Sequence, residues 1–599
     1  MLYPIETQSR RVKNLNGIWS FQLDQAGRGE KDNWQDGQLT DPIPMPVPSS
    51  FNDITTQEDI RDFVGDAWYE TSFYVHDEWF EENIFIRFGA VSHTATVYVN
   101  GKKIKVNRGG FLPFEIDVTK HLHKNQMNRL TVKVNNELSW DMLPPGKVVE
   151  EKRLDGRIKK RVKQQHDFFN YAGIHRSVFI YTKPSINIEQ IRVNTSFLDD
   201  RGIVDVKSWV THVGDSQTIE VAVQDHKGKT VSSGKGGESK LFIDHPRKWS
   251  PKDPYLYNLH ITVLEGGKLI DHYVMKIGLR TVEISNGHFL LNGENFYLKG
   301  FGKHEDALIR GKGYDAVTTL RDFQLMKWSG ANSFRTAHYP YAEEVLHLAD
   351  EMGFLVIDET SAVGLLSQGV PATGELQPVF QAGKVSRELF EHHKKVLKEL
   401  IYRDWNHPSV VMWSISNEAS TMEKEAEPYF KSLIQMVREL DNRPVMNVNL
   451  MLIEPERCVV SKHCDVIGLN VYHGWYSTPG ELEQGERDLR HYLNRWEKEF
   501  KLPILITEFG VDTIAGLHKL PPVMFSEEFQ VEFLKTYQRV FDQMSYVCGE
   551  HVWNFADFMT KQDTVRVDGN KKGVFTRSRE PKSAAFHLRQ RWQEGVIYD

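Results

Sequence analysis

The feature that most constrains this chain is a change of rhythm near residue 278. Beyond it, short apolar runs alternate with segments whose apolar residues recur every three or four positions. The runs lie at 296–301, 332–334, 355–357, 410–415, 445–448, 466–469, 504–506 and 552–555. Between two of them, Leu389, His393, Val396, Leu397, Leu400 and Ile401 fall on one helical face. A helical pattern over 342–352 runs into Gly353, the residue type that most readily ends a helix in a left-handed turn. Eight short buried strands, each followed by a helix, predict a closed (β/α)8 TIM barrel over 278–599. A doubly wound open sheet is the alternative.

The residues before that point read as β structure in two blocks. Over 1–184, the stretches 84–88, 94–99 and 131–134 are rich in β-branched and aromatic residues, and Asn100-Gly101 is a strong hairpin signal. A sandwich or jelly roll is expected there. Over 185–277, strand candidates at 204–210, 218–223, 241–243 and 259–263 are separated by polar turns, the rhythm of an immunoglobulin-like sandwich. The Lys- and Arg-rich stretch 147–163 is interleaved with Glu150, Glu151 and Asp155, and so predicts a solvated hairpin arm rather than a nucleic-acid surface.

Composition narrows the partners. With 74 Lys+Arg against 81 Asp+Glu the net charge is −7, which argues against a generic nucleic-acid binder. Cys458, Cys464 and Cys548 form no C-x-x-C pair, so neither a disulfide framework nor a zinc site is expected. No basic-then-apolar leader opens the sequence, and no run approaches the ~18 apolar residues of a membrane span. A cytoplasmic protein without a membrane partner is the expectation.

In a barrel the chemistry gathers where strands end. Lys303-His304-Glu305-Asp306 follows the first run, Arg335 and His338 the second, Asp358-Glu359 the third and Asn417-Glu418 the fourth. Asn470 and Tyr472 follow the sixth, Glu508 the seventh, and Trp553-Asn554 lies in the eighth. Glu418 and Glu508 are the sharpest of these. Two carboxyl groups, one protonated and one ionised, suit acid–base and nucleophilic work at a glycosidic bond. Taken singly, each also reads as a rim ion pair or a helix cap. No nucleophile elbow, phosphate-binding loop or H-E-x-x-H helix occurs. His304, Glu305 and Asp306 are adjacent and would not all face one ion, so no metal and no cofactor is expected.

Several longer stretches carry a resemblance. Asn417-Glu418 after Val410-Val411-Met412-Trp413, with Asn292-Gly293-Glu294-Asn295-Phe296-Tyr297-Leu298-Lys299-Gly300 at the barrel entry, resembles glycoside hydrolase family 2. So do Asp167-Phe168-Phe169-Asn170-Tyr171-Ala172-Gly173-Ile174-His175-Arg176 and Phe334-Arg335-Thr336-Ala337-His338-Tyr339-Pro340-Tyr341. Val552-Trp553-Asn554-Phe555-Ala556-Asp557-Phe558 and Asn570-Lys571-Lys572-Gly573 point to the bacterial branch of that family that acts on β-glucuronides. The resemblance covers essentially the whole chain. It implies a jelly-roll sugar-binding-like domain, an immunoglobulin-like β-sandwich and a catalytic TIM barrel.

It also implies retaining exo-hydrolysis of small-molecule β-glucuronides to D-glucuronate and aglycone, by a homotetramer. By that resemblance Glu418 is the general acid/base, Glu508 the nucleophile, Asn417 the partner of the sugar 2-hydroxyl and Tyr472 the phenol that orients the nucleophile. Asn570 and Lys572 grip the C6 carboxylate, with Arg566 close by. Asp167, His338, Asn470, Tyr476 and Trp553 complete the sugar pocket. An ammonium with an amide selects a uronate over a hexose, whose hydroxymethyl group would leave the lysine unpaired. Residues 561–580 hold six Lys or Arg and three Asp or Glu, a basic island expected at the uronate end.

Val471 and His473 stand where the family usually has Arg and Tyr, which puts some aglycone and rim contacts in question. Between Val363 and Arg387 lies a loop of intermediate length; in gut bacterial members of the family a loop at this place can cover the site across a subunit contact, which would favour small aglycones. Rival readings are a β-galactosidase, opposed by Asn570 and Lys572, and a β-galacturonidase, whose sugar differs only at C4. A carbohydrate-binding protein with a lapsed barrel is opposed by the two intact carboxylates.

Overall fold

The first unit is built from strands whose inward residues are large and apolar. A six-stranded antiparallel sheet runs Ile43–Val47, Gly17–Leu23, Asp66–Tyr74, Met127–Asn135, Thr94–Val99, Lys102–Arg108. It faces a four-stranded sheet of Val12–Asn14, Val178–Lys183, Asn83–Phe88 and Phe114–Asp117. Trp19, Phe21, Tyr69, Ile86, Val97, Val132 and Ile180 fill the space between them. Asn100 (φ 49°) and Gly101 (φ 81°) make the tight turn between the last two strands of the larger sheet, as that dipeptide predicts. Gly146–Lys152 and Ile158–Gln164 pair as a largely exposed hairpin arm, tied back by Lys159 to Glu58 and Lys160 to Glu137. This is a computed structural model describing residues 1–152, 154, 156, 158–214, 216–366, 368–369, 376–381 and 383–595, so Asp155 of the arm lies outside the described residues.

The second unit packs a three-stranded sheet (Ile188–Leu198, Arg201–Val210, Glu238–Asp244) on a four-stranded one (Thr230–Lys235, Gln217–Gln224, Tyr257–Glu265, Lys268–Ile277). Val204, Val206, Val221, Leu259 and Ile261 form its core.

Eight parallel strands close the third unit into a barrel: Leu298–Gly302, Ser333–Arg335, Leu355–Glu359, Val410–Asn417, Val445–Leu450, Val466–Asn470, Ile504–Glu508 and Val547–Val552. The open-sheet alternative is thereby excluded. Intervening helices begin and end on local signals. Asp315, Ser386 and Ser526 accept backbone N–H bonds at three N-termini, and Gly330 and Gly353 close two C-termini at φ 85° and 77°.

The eighth strand corrects the sequence reading, which set it at 552–555. It runs through Cys548-Gly549-Glu550-His551, where polar letters hide the pattern. Glu550 is fully buried because Arg591 and Trp592 of the last helix, Ser583–Glu594, donate to it at 2.9 and 2.6 Å. His551 is matched by the Ser333 hydroxyl at 2.9 Å. Trp553-Asn554 therefore lies just past the strand rather than in it.

The first unit docks on the barrel through buried ion pairs. Arg176 meets Glu305 at 2.9 Å and Arg87 meets Glu343 at 2.6 Å. This docking carries Asp167 to the C-terminal mouth of the barrel.

Candidate active site

Four strand ends converge at that mouth. Arg335, Asn417, Asn470 and Glu508 are each the last residue of their strands. Glu418 follows at φ 54°, a left-handed conformation that costs a non-glycine residue about 1–3 kcal/mol and turns the chain sharply off the strand. Asn470 donates to Asn417 Oδ1 at 3.2 Å and to Glu418 Oε1 at 2.8 Å, while its own oxygen accepts from Thr507 at 2.8 Å.

Glu508 receives Arg335 Nη2 on one oxygen at 2.5 Å and the Tyr472 hydroxyl on the other at 2.6 Å. Arg335 is shared, because its Nη1 donates to both oxygens of Glu359 at 2.8 Å. Glu359 also takes the Ser414 hydroxyl at 2.7 Å and faces His338 Nδ1 at 2.9 Å. His338 stacks on Trp553 with ring centroids 5.0 Å apart. Trp553 in turn fits over Gly302, where a Cβ would come within 2.5 Å of its ring.

Burial sets the protonation. It raises Glu508 to about 8 against the pull of Arg335, and the charge of Glu418 adds to the rise. Burial raises Glu418 as well, opposed by the Asn470 amide. Both carboxyls are thus biased toward the protonated form, and the charge of Glu418 bears on Glu508. The Arg335 guanidinium and the Tyr472 phenol, donors only in this geometry, oppose that rise at Glu508 and favour its anion. Burial keeps His338 below its ordinary value and hence neutral, so that Nδ1–H donates to Glu359. Burial likewise keeps the Tyr472 phenol protonated.

A second cluster adjoins the first. Lys572, 1% exposed, donates to Asp512 and to the Tyr476 hydroxyl at 3.0 Å, with its ammonium over the Tyr476 and Trp475 rings. Arg566 reaches Asp167 Oδ2 at 3.0 Å, Asp512 Oδ2 at 3.2 Å and the Tyr476 hydroxyl at 3.3 Å. Asn570 donates to Asp167 at 3.0 Å and accepts the Lys572 backbone N–H at 3.0 Å. Burial pushes Asp512 upward, but Lys572 and Arg566 outweigh it and hold the carboxyl below the usual range. The rings of Tyr472 and Tyr476, 5.1 Å apart, join the two clusters.

The structure thus brings together Asp167, His338, Asn417, Glu418, Asn470, Tyr472, Tyr476, Glu508, Trp553, Arg566, Asn570 and Lys572. It adds Asp512 and Thr507, which sequence reasoning did not single out, and gives Arg335 and Glu359 specific partners. Position was the available signal for Asp512, since it follows Glu508 on the same segment, Phe509-Gly510-Val511-Asp512.

The basic island is corrected. Besides the pairs just described, Arg577 binds Asp53 and Asp306, Arg579 binds Asp322, and Lys571 binds Asp568. Five of the six cations are thus paired, four of them with acids from distant sequence. His304, Glu305 and Asp306 are engaged separately, by Tyr339, Arg176 and Arg577. Val471 is buried, and His473 faces Ser477 at 3.2 Å. In the 365–387 loop, residues 367, 370–375 and 382 lie outside the described residues, and Glu423 accepts the backbone N–H groups of Val379, Phe380 and Gln381. Among the described residues no helix is long and apolar enough to cross a membrane.

Comparison with known proteins agrees along the whole chain. The family descriptions "Glycosyl hydrolases family 2, sugar binding domain", "Glycosyl hydrolases family 2" and "Glycosyl hydrolases family 2, TIM barrel domain" match residues 12–184, 186–280 and 282–596. A beta-glucuronidase of Paenibacillus borealis is 46% identical over 99% of both chains. The solved beta-D-glucuronidase of Dictyoglomus thermophilum superposes with a TM-score of 0.93 at 44% identity, covering 100% of each chain. A Ruminococcus gnavus β-glucuronidase, solved in complex with D-glucuronic acid, superposes at 0.92 with 42% identity over 99% of each.

Proposed function

Because the chain belongs to the glycosyl hydrolases of family 2, we propose that it is a retaining exo-β-D-glucuronidase that releases D-glucuronate and the aglycone from β-glucuronides. The observation that carries this is the meeting, at one barrel mouth, of the Glu418 and Glu508 carboxyl groups with a buried lysine flanked by Arg566 and Asn570. A carboxyl pair alone would serve any hexoside. The cationic cluster adds a place for the C6 carboxylate.

In the first displacement the ionised Glu508 attacks the anomeric carbon while Glu418 gives its proton to the departing oxygen. A retaining reaction calls for carboxyl groups ~5–5.5 Å apart. Tyr472 and Arg335 hold Glu508 in the anionic form and aim it. Once the glycosyl ester forms, the charge of Glu508 is gone and the pKa of Glu418 falls. Glu418 then takes a proton from water, the oxygen of that water attacks the anomeric carbon, and the ester bond breaks back to a Glu508 carboxylate. Asn417, held by Asn470, lies beside the acid where it can bond the 2-hydroxyl. Lys572, Asn570 and Arg566 bind the sugar carboxylate. His338 and Trp553 form one stacked wall, with Asp167 beside Asn570 and Tyr476 beside Lys572.

Release of p-nitrophenol from β-glucuronide, β-galacturonide, β-glucoside and β-galactoside tests the reading. The glucuronide is expected to react fastest, and Lys572→Ala to lower the uronide-to-hexoside rate ratio about 100-fold. No release from the glucuronide by the wild type would sink the proposal, and preference for the galacturonide would transfer it to that sugar. A homotetramer and a cytoplasmic location complete the proposal. Light scattering after size exclusion checks the first, and cell fractionation the second.

A further inference from the structure

We propose that Asp512 is the positioning residue of the uronate clamp. By holding the Lys572 ammonium and the Arg566 guanidinium on one carboxylate oxygen, it aims the remaining Lys572 N–H at the substrate carboxylate and so sets the preference for uronides over hexosides. The proposal rests on the glucuronidase reading above.

Lysine has three N–H donors on a flexible four-carbon stem, and so has no preferred direction of its own. Among the described residues two donors are taken, by Asp512 and by the Tyr476 hydroxyl, and the third is the one a substrate carboxylate would take. The rings of Tyr472, Trp475 and Tyr476 surround the same ammonium at 5.8, 5.2 and 4.8 Å. Such rings attract a cation without fixing which way its N–H bonds point. Asp512 is therefore the charged one of the two directional partners.

Asp512 is itself held firmly. Its other oxygen accepts the Lys571 backbone N–H at 2.9 Å, and the Thr513 N–H donates to the Lys571 carbonyl at 2.9 Å. These bonds fasten the exit of the seventh strand to the loop that carries Asn570 and Lys572. Glu508 ends that same strand, so nucleophile and clamp share one backbone frame. Asp512 and Asp167 balance Lys572 and Arg566 charge for charge. An entering uronate adds a third carboxylate and draws on donors already aimed at it.

The test is kcat/KM for p-nitrophenyl β-glucuronide and β-glucoside in the wild type, Asp512→Asn, Lys572→Ala and the double variant. Asparagine keeps an acceptor for Lys571 but cannot balance two cations. Asp512→Asn is expected to lower the glucuronide value about 10- to 100-fold, mostly through a higher KM, and the glucoside value less than about 3-fold. In the Lys572→Ala background it should change the ratio less than about 3-fold. Because the ratio does not depend on how much protein is folded, a parallel loss on both substrates would reveal a merely structural role and overturn the proposal. A lower KM for the glucuronide would also overturn it, by showing that Asp512 competes with the substrate for Lys572. If Asp512→Asn does not fold, Asp512→Glu keeps the charge but moves it by one methylene. It should lower the ratio less than about 10-fold, and an unchanged ratio would overturn the proposal. Failure of the wild type on the glucuronide would instead refute the underlying reading.

Discussion

Glu508 and Asp512 lie on one short segment, yet the protein treats their carboxyl groups in opposite ways. Both are buried and both bind a cation. Glu508 has a guanidinium shared with Glu359 and one neutral phenol, and its carboxyl is raised to about 8. Asp512 has an ammonium, a guanidinium and a backbone N–H, and its carboxyl is held below the usual range. Burial alone would raise both. Two cations at contact outweigh burial at Asp512, whereas at Glu508 a single guanidinium is opposed by both burial and the charge of Glu418. A carboxylate that must form a bond to carbon benefits from light stabilisation, because strong stabilisation of the anion would have to be given up in the transition state. A carboxylate that only aims its neighbours carries no such restriction.

The sharpest way to break this contrast is Glu508→Gln. It is expected to lower glucuronide hydrolysis by ~10⁴-fold or more, measured as p-nitrophenol release, whereas Asp512→Asn stays within about 100-fold. Equal losses would mean that the two carboxylates do not differ in role.

Glu418→Gln comes next. Loss of a general acid costs ~10²–10⁴-fold, and the loss should be greater for an aglycone of high pKa than for p-nitrophenol, which leaves without much help from a proton. A loss independent of the leaving group would remove Glu418 from the proton-donor role.

The smallest expected effects lie in the pH profile. Burial raises the Glu418 carboxyl, so kcat/KM should fall on the alkaline side, where Glu418 loses the proton it donates. It should also fall on the acid side, where Glu508 becomes protonated. Tyr472 donates to the anion and thereby lowers its pKa, so Tyr472→Phe should move the acid limb upward by ~1 pH unit. A downward shift or none would show that the phenol does not bear on the nucleophile's charge.

Much of the barrel was legible in the sequence because seven of its strands are bounded apolar runs, and Glu418 and Glu508 stood out as carboxylates at the ends of such runs. The eighth strand was misread for a physical reason. Glu550 and His551 are tolerated inside because Arg591, Trp592 and Ser333 reach them from elements far away in sequence, and one-dimensional pattern carries no trace of those partners. The basic island failed in the same way. Arg577 and Arg579 read as free charge until Asp53, Asp306 and Asp322 arrive from other elements. Asp512 was missed because its position shortly after Glu508 does not reveal that two cations from a later loop meet it.

The most direct measurement is to trap the covalent intermediate. A 2-deoxy-2-fluoro-β-glucuronide with a good leaving group forms the glycosyl ester but hydrolyses it slowly, because the fluorine disfavours the oxocarbenium-like transition state. Intact-protein mass followed by peptide mapping should find one fluoroglucuronyl group, on Glu508. A label on Glu418, or no added mass while the leaving group is being released, would contradict a nucleophilic Glu508.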